Sequence, residues 1–132
     1  MKNENLVKNW LDFADMDANM AEFTFNNMHP KPLELICYHC QQAAEKALKA
    51  LIIATEENID VPKTHDLALL ADNLSELFEI DDLLYNACSD LTPFGVKVLY
   101  PKEIPVDEAL TKKALSDKTK IIDWVKSHFA QK

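Results

Sequence analysis

Apolar positions recur along this chain at helical intervals, and one stretch keeps the pattern without a break. Between Leu33 and Glu57, the residues Ile36, Cys40, Ala43, Ala47, Ala50 and Ala54 fall on one narrow stripe of a helix. Most of them are small, so another backbone can approach closely. Leu48, Leu51 and Ile52 widen the apolar face toward the C-terminal half. The pattern predicts a central helix that the rest of the chain covers. Glu45 and Lys49 stand four apart in the order that suits a surface ion pair, on the side away from the stripe. His39, Gln42 and Lys46 follow at intervals of three and four along one flank, a boundary between core and solvent.

The flanking patterns predict four further helices. From Asn5 to Asn27, the residues Leu6, Trp10, Phe13, Met20 and Thr24 share one side, with Asp17 in its middle. A carboxylate placed there is costly unless something pairs with it. It is read as a structural Asp bonded to a Lys, His or Tyr of a neighbouring helix, the alternative being a site residue facing a pocket. Pro30 and Pro32 stop this helix. After a linker from Glu57 to Pro62, Thr64 or Asp66 caps a short helix over Leu67 to Phe78, with Leu67, Leu70, Leu74 and Leu77 inward. Ile80-Asp81-Asp82 opens a fourth helix that buries Leu83, Leu84, Ala87, Cys88 and Leu91. It stops near Leu91 or restarts with Thr92 as cap and Pro93 at the first position. An extended loop from Val96 to Pro105 leads to a last helix, Val106 to Phe129, whose core face is Leu110, Ala114, Ile121, Trp124 and Val125. The expectation is one domain over residues 1–132, all-α, an up-and-down bundle of four long helices plus one short helix. The first two helices, joined by a brief loop, should lie antiparallel.

Composition narrows the class. The chain has 132 residues, 48% hydrophobic and 27% charged, which suits one soluble globular domain. A single Gly argues against an all-β fold with many tight turns. No apolar run approaches the ~20 residues of a membrane span, and the N-terminus lacks the apolar core of a signal peptide. A cytoplasmic protein is expected. Net charge is −8, and all 14 basic residues are Lys. Without Arg, bidentate recognition of phosphate or guanine has no donor, which argues against autonomous nucleic-acid binding.

Two clusters invite chemistry. Cys37-x-x-Cys40 with Cys88 and His39 suggests zinc or redox work, but no second Cys pair or turn segment supports it, and free cysteines are usually small core residues. No metal and no cofactor are expected. His65-Asp66 lies at a helix start, where backbone N–H groups favour an anion. His39, Gln42 and Lys46 would face it across a cleft, with Tyr100 as a stacking ring, so that a nucleotide or phosphate would contact His39, Gln42, Lys46, His65, Asp66 and Tyr100. The plainer reading is that Thr64 or Asp66 caps the helix and His65 bonds a backbone carbonyl.

These residues resemble a known family. Tyr38 to Ile52 (YHCQQAAEKALKALI), the Pro62-x-Thr64-His65-Asp66-Leu67 segment and Leu99-Tyr100-Pro101 are similar to blocks of the HEPN domain. So are Trp10 with Ala14 and Asp17, and Ile121-x-x-Trp124-Val125. The resemblance implies a helical bundle that forms homodimers. Many such domains are metal-independent ribonucleases or toxins of toxin–antitoxin pairs, built on an Arg followed after four to six residues by a His. Others are non-catalytic and pair with a minimal nucleotidyltransferase, and some are ascribed nucleotide binding. This chain has no Arg, and Leu99 stands where the Arg of an Arg-Tyr-Pro segment is expected. That departure argues against ribonuclease activity of the usual HEPN kind. The resemblance thus implies a non-catalytic binding and partner domain. The alternatives are an unconventional ribonuclease using His65 or His39 with Lys46, and an acidic structural adaptor.

Overall fold

The structure, a computed structural model, describes residues 3–55, 60–95 and 105–129. Among these residues every regular element is helical: α1 (Glu4–Asn27), α2 (Leu33–Thr55), α3 (Leu67–Leu74), α4 (Asp82–Leu91) and α5 (Glu108–Ser127). A 3-10 turn, Thr92–Gly95, carries α4 on by one further turn. The starts of α3, α4 and α5 are written in the sequence as aspartates. Asp66 accepts from the N–H groups of Ala68 and Leu69, Asp81 from Leu84, and Asp107 from Leu110. Each carboxylate satisfies donors that have no partner inside the helix and sits at the positive end of its dipole.

Cross-helix contacts give the directions. Asn3 donates to the carbonyl of Ile53, Trp10 lies under Lys49, and Asp17 pairs with Lys46 and His39. Partners on α2 therefore descend as α1 ascends, so the two helices are antiparallel. Lys118 with Glu22, and Lys126 with Asp15, set α5 antiparallel to α1 by the same logic. α2 is the centre: 15 of its 23 residues are buried, and Ile36, Cys40, Ala43, Ala47, Ala50 and Ala54 are all among them. α3, α4 with its 3-10 turn, and α5 close the other sides.

The structure corrects several faces drawn from periodicity. α1 buries Val7, Ala14 and Ala21, with Leu11, Ala18 and Phe25 partly covered, while Phe13 and Met20 point outward. The Ala stripe of α2 admits only small partners at close range, so the bulky residues rotate away from it. Glu45 and Lys49 are no surface pair: both are buried, because α2 is covered on that side too. Leu77 and Leu83 are exposed. α3 ends at Leu74, four residues early, where Ser75 turns its hydroxyl back onto the carbonyl of Asp72. α5 begins at Glu108, since Asp107 is its cap rather than a first-turn residue. The chain beyond Thr55 to residue 59, and the predicted loop from 96 to 104 with Leu99, Tyr100 and Pro101, lie outside the described residues.

Gly95 is a point of close approach. A Cβ there would stand 2.6 Å from the side-chain carbon Cδ of Gln41. Gln41 is fully buried, and its amide donates to Glu45 and to the His65 carbonyl. Gly95→Ala should push that amide off its partners and destabilise the fold by about 1–3 kcal/mol. Urea unfolding followed by circular dichroism measures it.

Candidate functional site

The polar residues of α2 divide into an edge group and a buried group. The edge group lies where α2 meets α1. Asp17 projects from the middle of α1, and its Oδ2 accepts from Lys46 Nζ at 2.5 Å. Its Oδ1 lies 3.0 Å from His39 Nδ1. All three side chains are partly covered, with the aspartate the most buried. The Tyr38 ring meets the His39 ring edge-on at 5.6 Å. Lys46 also lies over the Phe13 ring, 5.9 Å from its centroid, a cation–π placement. A shallow cleft of about 330 Å³, lined by Leu6, Asn9, Trp10, Phe13 and Lys46, opens beside this pair.

The buried group centres on Glu45. Its Oε2 accepts from Lys49 Nζ at 2.8 Å. Its Oε1 accepts from Gln41 Nε2 at 3.1 Å and lies 2.9 Å from His65 Nδ1. Gln41 donates as well to the His65 carbonyl at 2.9 Å and accepts from Gln42 Nε2 at 2.8 Å. Lys49 in turn lies over the Trp10 ring at 6.0 Å. Burial pushes the Glu45 carboxyl up, yet the hydrogen bonds from Lys49, His65 and Gln41 outweigh it and hold the group below the ordinary glutamate range. His65 is the one member open to solvent, its side chain 55% exposed. A carboxylate on one ring nitrogen fixes the tautomer and leaves the other nitrogen outward, an arrangement that can move a proton.

The six ligand candidates are thus not drawn into one pocket. His39 and Lys46 converge on Asp17. Gln42 turns inward to Gln41, and His65 joins Glu45. Gln41 fills the space between α2 and the turn before α3. Asp66 places its own carboxylate on the N–H groups that would hold an anion. Tyr100 lies outside the described residues. Cys37, Cys40 and Cys88 are fully buried in the core. Burial raises all three thiols, Cys40 and Cys88 to about 12, and Cys37 donates to the Thr111 hydroxyl. Among the described residues no three His, Cys, Asp or Glu side chains gather as metal ligands would.

Periodicity missed Gln41, Glu45 and Lys49 because it put this arc of α2 in solvent. The usable signal was length: three charged or amide side chains at intervals of four, on a helix that every other element must pack against. His128 was also missed. It lies half-buried between the rings of Phe78 and Trp124, at 4.4 and 4.7 Å, and its buried Nε2 has no hydrogen-bond partner.

The order of the helices has counterparts elsewhere. The HEPN domain family model matches residues 7–128. The chain belongs to the HEPN family. Two solved structures share the fold: an archaeal HEPN homologue, ST0689 (21% identical, TM-score 0.73), and TT1696 from Thermus thermophilus (24% identical, TM-score 0.80). Each likeness covers 92% of this chain and 96% of the other. No curated protein matches. Among the described residues of this HEPN domain, no helix is long and apolar enough to cross a membrane.

Glu45→Gln should leave Lys49 buried without a counter-charge and cost about 3 kcal/mol at neutral pH. Because the folded carboxyl titrates below its unfolded value of about 4.3, its contribution is full above that pH and is lost as pH falls through the folded value. The gap between wild type and variant should therefore close below about pH 4. Chemical denaturation across pH 3–7 measures it.

Proposed function

We propose that this HEPN domain is a non-catalytic binding and partner module. It acts as a homodimer and pairs with a minimal nucleotidyltransferase in a toxin–antitoxin-like or nucleotide-related system. The observation that carries this reading is the lack of any Arg to begin the family's Arg–His motif, in a chain whose basic residues are all Lys. Supporting it, His39 and Lys46 are engaged by Asp17, and Lys49 by Glu45. Each of these side chains is thereby committed to a contact between α1 and α2 or within α2. Lys46 lines the cleft with Trp10 and Phe13, an apolar surface on which a nucleotide base could rest.

One observation favours a second reading, an unconventional ribonuclease. His65 is held by Glu45 through Nδ1 and is half open to solvent. Proton transfer at its outer nitrogen is sterically available, although no cation with the geometry of Arg stands by to stabilise a phosphorane.

Three measurements separate the readings. Capture from native lysate should recover a small nucleotidyltransferase-like protein, and its absence removes the pairing. Purified protein should cleave no RNA. Cleavage that disappears in His65→Ala would instead establish the ribonuclease. A nucleotide at 100 times its dissociation constant should stabilise the fold by ~2.7 kcal/mol in a thermal-shift series. An acidic adaptor would show no nucleotide-dependent shift.

A further inference from the structure

α1 turns four large apolar side chains away from the core. Phe13, Met16, Met20 and Phe23 are 55%, 61%, 52% and 66% exposed. At about 100° per residue they fall in one strip on the side opposite the buried Val7, Ala14 and Ala21. Asn9 and Asn27, both exposed, continue the strip by a turn at each end. No ionisable residue stands in it, in a chain of net charge −8. Contiguous exposed apolar surface of this kind marks an interaction site more often than scattered single residues do.

The strip also reads the same in both directions. Its residues are Asn, Phe, Met, Met, Phe and Asn, at intervals of four, three, four, three and four. A two-fold interface has to be self-complementary: where residue i meets j, j must also meet i. Antiparallel pairing of α1 with α1 of a second copy, about an axis level with Ala18, meets that condition along the whole strip. Phe13 then faces Phe23, Met16 faces Met20, and Asn9 faces Asn27. The alternating intervals of three and four are also the spacing at which helix surfaces interdigitate.

We propose that two copies of this chain associate through the α1 strip, antiparallel, about a two-fold axis level with Ala18. The proposal rests on the homodimer reading above and adds to it the face and the direction. Charge favours a second copy here. Two acidic copies repel over most of their surfaces, and the strip lets them meet without burying a like-charged pair. The four side chains offer on the order of 400 Å² of apolar surface per copy. A stable interface takes ~800 Å² per partner. The strip is the apolar centre of such an interface, and the polar residues that flank it form the rim.

The experiment uses the full chain with Asn9→Cys in one preparation and Asn27→Cys in another. Both positions are exposed, and the native Cys37, Cys40 and Cys88 are fully buried. A short thiol cross-linker therefore reports the introduced pair. Antiparallel pairing sets position 9 against position 27, while the two copies of position 9 lie about 27 Å apart along the helix. The mixture should give cross-linked dimer, and neither variant alone should. Sedimentation of the Phe13→Glu/Phe23→Glu double variant should show a shift from dimer to monomer with unchanged helical circular dichroism. Wild type that sediments as a monomer at every concentration removes both this proposal and the homodimer reading. A dimer that withstands the double variant, with no cross-linking of the mixture, removes the α1 strip and leaves the homodimer reading standing. Cross-linking of either variant with itself overturns the antiparallel direction. A monomeric wild type that loses a co-purifying protein in the double variant assigns the strip to a different partner and overturns the proposal.

Discussion

A helix covered on nearly every side has to satisfy its polar side chains from within, and α2 is such a helix. Gln41, Glu45 and Lys49 lie on an arc that α1, the turn before α3 and the 3-10 turn close off. A buried ion pair is tolerable only when the remaining lone pairs and protons are also used. Here they are: Glu45 is met by Lys49, Gln41 and His65, and Gln41 receives Gln42 and reaches the His65 carbonyl. The consequence is structural reach. The segment before α3 has little apolar surface of its own, and it is fastened to α2 through His65. The 3-10 turn can pack against the same glutamine only because residue 95 has no side chain.

This arrangement decides what the polar residues can do. On the open edge of α2, His39 and Lys46 share one carboxylate from α1. That triangle fixes how α1 lies along α2 beyond what alanine packing specifies, since small residues slide past one another easily. His65 differs in kind. It is anchored at one nitrogen by a buried carboxylate whose own charge is kept by Lys49, while its ring stays half in solvent. It is the part of this buried network that solvent reaches most freely.

How much of this was legible in the sequence depended on which physical signal each residue gives. Helix number and order were legible, since caps and breakers are local: Asp66, Pro30 and Pro32 act within a turn of themselves. The Ala stripe was legible because one whole face of α2 is small. The outward turn of Phe13 and Met20 was not, because periodicity reports that a face is apolar without reporting what lies against it. Two apolar faces overlap on α1, and the bulkier one drew the assignment. The burial of Glu45 and Lys49 was illegible for a related reason. An (i, i+4) pair on a surface and the same pair in a core have one spelling, and only the positions of α1, His65 and Gly95 distinguish them. The Asp17 contacts lay between, because an acid amid apolar neighbours signals a need for a partner without naming it.

The same close packing explains why α1 is apolar on its outer side. Alanines on both α1 and α2 bring the two helix axes near, and a Phe or Met in place of Ala14, Ala18 or Ala21 would force the helices apart. α1 therefore contributes Val7, Leu11, Ala14, Ala18, Ala21 and Phe25 inward, a row at alternating intervals of four and three. Apart from the Lys46 ammonium over the Phe13 ring, nothing in the packing of one copy calls for Phe13, Met16, Met20 and Phe23 to be apolar, since they touch little of the core. A monomer would fold as well, and dissolve better, with polar residues at all four. Their apolarity has to be accounted for outside the single chain. The symmetric, uncharged order of the strip narrows the account to a surface that meets its own image.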